Sequence, residues 1–191
     1  MLQPGVAAIL INSPNNPSGV AYTGETLEKL SSLLAAKSKE LGYNLFLISD
    51  EPYREIAFGG REIPYPARFY PHTLTCYSFS KSLSVPGERI GYVAVCPECE
   101  HAEDIVPVCG QISRGIGHNC PSSLIQLAAA EAVDDTADLS VYETNMELLY
   151  ETFRELGFAV KKPDGTFYIM PKALEEDAVS FCRKAQKYDL I

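Results

Sequence analysis

The sequence predicts an α/β fold, a mostly parallel sheet with helices, followed by part of a smaller α+β domain. Two observations carry that reading. Through the first half, short continuous apolar runs alternate with an amphipathic stripe, the order of a strand–helix–strand unit. Past Pro97 the texture changes to Ala/Leu-rich and amphipathic stretches, then a turn-linked pair of short strand candidates. Residues 1–97 are therefore expected to form part of one domain, and 98–191 connecting helices and part of a second.

The run at 7–12 is almost wholly apolar and is closed by Ser13-Pro14, as for a strand buried on both faces. Thr23 is placed to cap a helix with Glu25 in its first turn. Leu27, Leu30 and Leu34 make the apolar stripe of that helix, and Gly42 follows Leu41 as its stop. Residues 45–49 are a second buried run, and a strand, helix and strand in this order require a right-handed crossover and a parallel pair. Further strands are expected over 73–78 and 91–96. Between the second and third lies a stretch punctuated by Pro52, Pro64, Pro66 and Pro71; a loop that long is functional or holds a short helix.

Beyond Pro97, residues 122–133 read as a helix, and Tyr142, Met146, Leu149, Phe153 and Leu156 mark an amphipathic one ended by Gly157. Residues 158–161 and 166–170, joined by Pro163-Asp164-Gly165, read as two short strands, and a last helix is expected from about Glu175. The first strand is apolar enough to need neighbours on both sides, and Tyr188-Asp189-Leu190-Ile191 reads as the start of another. The chain is thus expected to be part of a larger protein that would otherwise leave apolar sheet surface exposed.

Composition narrows the classes. Of 191 residues 46% are hydrophobic, which fits a globular core, and 16 basic against 25 acidic residues give a net charge of −9. No Lys/Arg cluster supports a nucleic-acid partner, and no run approaches a membrane span. The start, MLQPGVAAILINSP, lacks the charged segment of a signal peptide, so a cytoplasmic protein with reduced thiols at Cys76, Cys96, Cys99, Cys109, Cys120 and Cys182 is expected. Cys96-Pro-Glu-Cys99 with His101 invites a zinc reading. Cys109, His118 and Cys120 follow at spacings that match no ribbon or finger, so no metal is expected.

In α/β sheets ligands gather beyond the carboxyl ends of the strands. Here those ends run into Asn15-Asn16-Pro17-Ser18-Gly19, into Asp50-Glu51-Pro52-Tyr53, and into Ser78-Phe79-Ser80-Lys81 followed by Pro86-Gly87-Glu88-Arg89. Each has a plain structural explanation: a turn, a cap, a solvated loop cation. Ser78-x-x-Lys81 also fits penicillin-recognising serine hydrolases, but the Lys-Thr-Gly strand they need is absent.

Taken together, these residues closely resemble fold-type I enzymes that depend on pyridoxal 5′-phosphate (PLP), in the class I/II aminotransferase group. The resemblance extends from Ala7 to about Ile191 and is sharpest at SFSKSLSVPGERIGY, residues 78–92. It implies a PLP-dependent transferase-like large-domain fragment followed by part of the small C-terminal domain, and transfer of an amino group from an amino acid to a 2-oxo acid. Lys81 matches the family's Schiff-base lysine, whose amine also shuttles the Cα proton once released. Asp50 matches the carboxylate that keeps the pyridine nitrogen protonated, and Tyr53 and Asn16 the pair on the 3′-oxygen. Arg89 matches the phosphate-binding arginine, a fork suited to a dianion, with Ser78 and Ser80 adding hydroxyl donors.

The family's first phosphate-binding loop and ring-stacking aromatic lie upstream of anything matched here. By the resemblance, the arginine that clamps the substrate carboxylate is expected after a strand beyond Ile191, Arg183 being too early for that motif. By the resemblance, the 191-residue chain is expected to be inactive alone, and the intact parent to be a homodimer. The same residues would serve a PLP-dependent carbon–sulfur β-lyase or the aminotransferase-like half of a transcription regulator. A non-catalytic module of this fold would tolerate loss of Lys81, which is retained.

Overall fold

Four strands, β1 (Ala8–Asn12), β2 (Phe46–Asp50), β3 (Thr73–Ser78) and β4 (Gly91–Val95), make one sheet in the order β1-β2-β3-β4 in the computed structural model, which describes residues 3–190. β1, β2 and β3 run parallel, with Asn12 opposite Asp50 and Asp50 opposite Cys76; β4 returns antiparallel, with Gly91 opposite Ser78. Three strand ends and the segment 78–91 therefore meet at one edge of the sheet.

The crossover from β1 to β2 is α1 (Gly24–Leu41). Thr23 caps it by accepting a hydrogen bond from the Thr26 amide at 3.2 Å. Gly42 ends it at φ 80°, a left-handed conformation that glycine adopts without a Cβ clash. Its apolar stripe packs Leu27 and Leu34 against Ile11, Leu45, Leu47 and Tyr70. Tyr70 satisfies its buried hydroxyl on the Leu45 carbonyl at 2.7 Å. On the other face of the sheet Leu10 and Val93 stay exposed.

The proline-rich connection from β2 to β3 holds the short helix expected of it, a 3-10 turn at Pro66–Arg68. Its first residues are pinned from below. Glu51 is 1% exposed, accepts a hydrogen bond from the Ser49 hydroxyl at 2.6 Å and pairs with Arg54, whose guanidinium lies 4.7 Å from the Tyr65 ring centre. The 79–90 connection contains α2 (Phe79–Ser82), capped by the Ser78 hydroxyl, and a 3-10 turn at Pro86–Glu88.

The second half departs from expectation in three places. A helix, α3 (Ala102–Gly115), follows β4; Pro107 inside it interrupts the helical pattern in the sequence. α4 (Ser123–Glu131) and α5 (Ser140–Glu155) match the expected helices, with Ser122 capping the former. Residues 158–161 and 166–170 do not pair as strands. Only isolated bridges form, Val160 with Pro171 and Ala57 with Gly165, because the backbone of 164–166 bonds to the first half instead. Asp164 N–H donates to the Gly19 carbonyl at 2.7 Å, Thr166 N–H to Ile56 at 2.8 Å, and Phe58 N–H to Asp164 at 3.0 Å. A Cβ at Gly165 would meet the Ile56 carbonyl oxygen, so this crossing requires glycine. The last helix, α6 (Ala178–Ala185), starts after an Asp177 cap. The expected strand at 188–191 is replaced by a 3-10 turn at Gln186–Tyr188, with Ile191 outside the described residues.

No helix among the described residues is long and apolar enough to cross a membrane. Leu34 is fully enclosed, whereas its neighbour Leu33 is 67% exposed. Leu34→Ala is expected to cost about 3 kcal/mol of unfolding free energy in urea titrations. Leu33→Ala is expected to stay within about 0.5 kcal/mol.

Candidate active site

The end of β1 supplies a residue that strand periodicity alone does not single out. Asn12 lies opposite Asp50 in the parallel register, and its amide nitrogen donates to the Asp50 backbone carbonyl and to Oδ2, both at 3.0 Å. Its oxygen accepts the Asn16 N–H at 2.6 Å. Asn16 in turn donates to the Tyr53 hydroxyl at 3.2 Å, and Tyr53 meets the Tyr168 hydroxyl at 3.3 Å. One hydrogen-bonded chain thus runs from Asp50 through Asn12 and Asn16 to Tyr53, joining three of the predicted site residues.

Burial raises the Asp50 carboxyl above its ordinary value, and the Asn12 hydrogen bond pulls it partly back. Asp50 Oδ1 accepts no hydrogen bond from the described residues. The Tyr53 phenol is pushed up to about 12, first by burial and then by the Tyr168 hydroxyl, so it stays protonated across the neutral range. Cys76, beside Asp50 on β3, has its thiol pushed up by burial and by the Asp50 charge.

The residues after β3 form the second part. Ser78 Oγ donates to Ser80 Oγ at 2.8 Å and accepts the Ser80 N–H at 3.2 Å. Ser78, Ser80 and Arg89 line one cleft of about 500 Å³, with Cys76 and Tyr92 among its walls. Arg89 is held in a left-handed conformation (φ 53°), where its guanidinium donates to the Pro86 carbonyl at 2.7 Å. Lys81 points elsewhere: its Nζ lies 5.5 Å from the centre of the Phe167 ring. That ring packs edge-on against Tyr53 at 5.6 Å, so Phe167 links the lysine to the Asp50–Tyr53 chain.

Asn12, Phe167 and Tyr168 were not predicted. Asn12 has a signal in hindsight, a polar residue ending an apolar strand at the level of Asp50. Phe167 and Tyr168 have none, since their place depends on the 164–166 crossing. No group of three or more His, Cys, Asp or Glu among the described residues is placed to hold a metal ion, and all six cysteines are free.

A carboxylate, a phenol, an amine and an arginine-lined cleft thus lie near one edge of the sheet. The sequence matches the family model "Aminotransferase class I and II" over residues 2–191. The chain belongs to this family. It is similar to the aspartate aminotransferase of Geobacillus stearothermophilus, 29% identical over 98% of the chain and 47% of the relative. It is similar also to a probable aspartate/prephenate aminotransferase of Aquifex aeolicus, 34% identical over 86% of the chain and 41% of the relative. An aminotransferase structure from Eubacterium rectale superposes with a TM-score of 0.96 at 45% identity, over 100% of the chain and 48% of that structure. A Thermus thermophilus aspartate aminotransferase variant gives 0.78 at 28% identity, over 97% and 48%. The chain spans about half the length of the curated aminotransferases it matches.

The raised Asp50 carboxyl has a direct consequence for this family member. Its protonated form is favoured by folding, so its contribution is present at acid pH and is lost as pH rises through the raised value. Asp50→Asn is therefore expected to raise the urea midpoint of the chain at neutral pH. The gain should disappear once the pH falls below the ordinary carboxylate range.

Proposed function

We propose that this chain supplies the cofactor side of a PLP-dependent aminotransferase that moves an amino group from an amino acid to a 2-oxo acid. The observation that carries this reading is the hydrogen-bonded chain Asp50–Asn12–Asn16–Tyr53, flanked by Lys81 and the Ser78–Ser80–Arg89 cleft. The donor set fits PLP: a half-buried carboxylate for a ring nitrogen, a phenol and amide for a ring oxygen, and hydroxyls with a guanidinium for a phosphate.

When bound, PLP supplies an electron sink at its pyridine ring. Asp50, held in place by Asn12, keeps a proton on the ring nitrogen, an attraction that partial burial strengthens. Tyr53 stays protonated and donates to the ring's 3′-oxygen, with Asn16 beside it. Ser78, Ser80 and Arg89, which line one cleft, would grip the phosphate. Lys81 would be the amine that holds PLP covalently, and the same amine would carry the proton at the substrate Cα.

Within this reading, residues 1–97 form part of the PLP-binding large domain, and 98–191 the connecting helices and part of the small domain. The intact protein acts in the cytoplasm as a homodimer, without nucleic acid, membrane or metal.

Incubating the chain with PLP is expected to give the visible band of a lysine-linked cofactor. After borohydride reduction, peptide mapping should find the label on Lys81; a label on another lysine would overturn the assignment. Lys81→Ala should remove it, and Arg89→Ala should weaken PLP binding by roughly ten- to a hundred-fold, the worth of a charge-assisted hydrogen bond. The intact protein, given amino donors and a 2-oxo acid, is expected to release a new amino acid. Elimination of a thiol without transamination would move the reading to a carbon–sulfur β-lyase.

A further inference from the structure

The sequence motif that the cofactor site leaves unused is Cys96-Pro97-Glu98-Cys99, at the far end of β4 from Gly91. We infer that Cys96 and Cys99 form a reversible disulfide, making the turn between β4 and α3 a thiol–disulfide redox site.

The geometry comes from the backbone. Cys99 N–H donates to the Cys96 carbonyl at 2.9 Å, closing a four-residue turn over Pro97 and Glu98. Such a turn holds its first and last Cα atoms less than about 7 Å apart, close to the range that a disulfide spans. Pro97 occupies the second turn position, where its fixed φ preorganises the bend before any sulfur bond forms. The turn is anchored on both sides. Cys96 N–H donates to the Thr73 carbonyl at 3.0 Å, Glu100 N–H to His72 Nδ1 at 3.1 Å, and the Asn44 amide to Glu100 Oε2 at 2.9 Å. The two cysteines are thus held as neighbours by contacts that do not involve their side chains.

The thiols differ in access. Cys96 is partly exposed, whereas Cys99 is 6% exposed and its thiol donates to the Glu100 carbonyl at 3.5 Å. Burial, with Cys96 and Glu100 nearby, pushes the Cys99 thiol up, so it is a poor first nucleophile. Cys96 is the entry thiol and Cys99 the resolving one.

With a low-molecular-weight disulfide such as glutathione disulfide as oxidant, the Cys96 thiolate attacks one sulfur. This forms a mixed disulfide and expels one glutathione thiolate, which takes up the proton that Cys96 gave up. The Cys99 thiol loses its proton, rotates from the Glu100 carbonyl and attacks Cys96 Sγ. The second glutathione leaves as thiolate and gains that proton. Two protein thiols are oxidised and one glutathione disulfide is reduced to two glutathiones.

Glu98 lies between the two cysteines, so cleavage after glutamate separates them and reports the bond directly. After treatment of the wild-type chain with glutathione disulfide, the Cys96 and Cys99 peptides are expected to travel together and to part on reduction. Peptides that separate without reductant, glutathione retained on Cys96, or Cys96 joined to another cysteine such as Cys109 would each overturn the inference. Cys99→Ser should trap glutathione on Cys96. Cys96→Ser should slow modification of Cys99 by roughly tenfold or more relative to that trapping, because the remaining thiol is buried; equal rates would refute the entry-thiol assignment. Borohydride labelling of Lys81 in separate portions, since borohydride also cleaves disulfides, reads the cofactor site independently.

Discussion

The parallel register of β1, β2 and β3 is the constraint on which the site depends. It sets Asn12 level with Asp50, so a single amide binds both the backbone and the carboxylate of the neighbouring strand. A slip by one residue would turn Asp50 to the opposite face, among Ile11, Leu27 and Leu34, where a charge has no partner. The apolar packing under α1 therefore fixes the register, and the register places the carboxylate. Apolar packing and the polar chain are divided between the two faces of the same strands.

The loop after β2 is ordered by an interaction of a different kind. Glu51 and Arg54 form an ion pair beneath it, with Ser49 and the Tyr65 ring meeting the remaining polar surface. A buried pair gives little net stability compared with apolar residues of similar shape, yet breaking it is costly because one charge is then stranded. It flanks Asp50 and Tyr53, two residues of the polar chain. On the far side of the sheet edge, Arg89 gets its orientation from local backbone, a left-handed residue bonded to the Pro86 carbonyl.

Much of this was legible in the sequence, and what was not has physical causes. The strands and α1 were readable because buried parallel strands are continuous apolar runs and because Thr23 and Gly42 are strong local signals. Asn16, Asp50, Tyr53, Ser78, Ser80, Lys81 and Arg89 were singled out because strand ends concentrate polar groups and because their order matched a known pattern. Periodicity failed where long-range contacts outweigh local preference. Residues 158–170 have the alternation of a hairpin, but their backbone groups find partners in Gly19, Ile56 and Phe58 instead. α3 was hidden by Pro107, and the Phe167 and Tyr168 rings reach the site only through that same crossing.

That crossing sets an order of assembly. Gly19 and Ile56 wait for partners at 164–166, so the strap that carries Phe167 and Tyr168 joins the sheet only after most of this chain has left the ribosome. The strands and α1 can pack earlier, since their contacts are closer in sequence. Until the strap docks, Tyr53 lacks its hydroxyl neighbour and Lys81 the ring beside it. A nascent chain would in this way own a formed core before Phe167 and Tyr168 lie beside Lys81 and Tyr53.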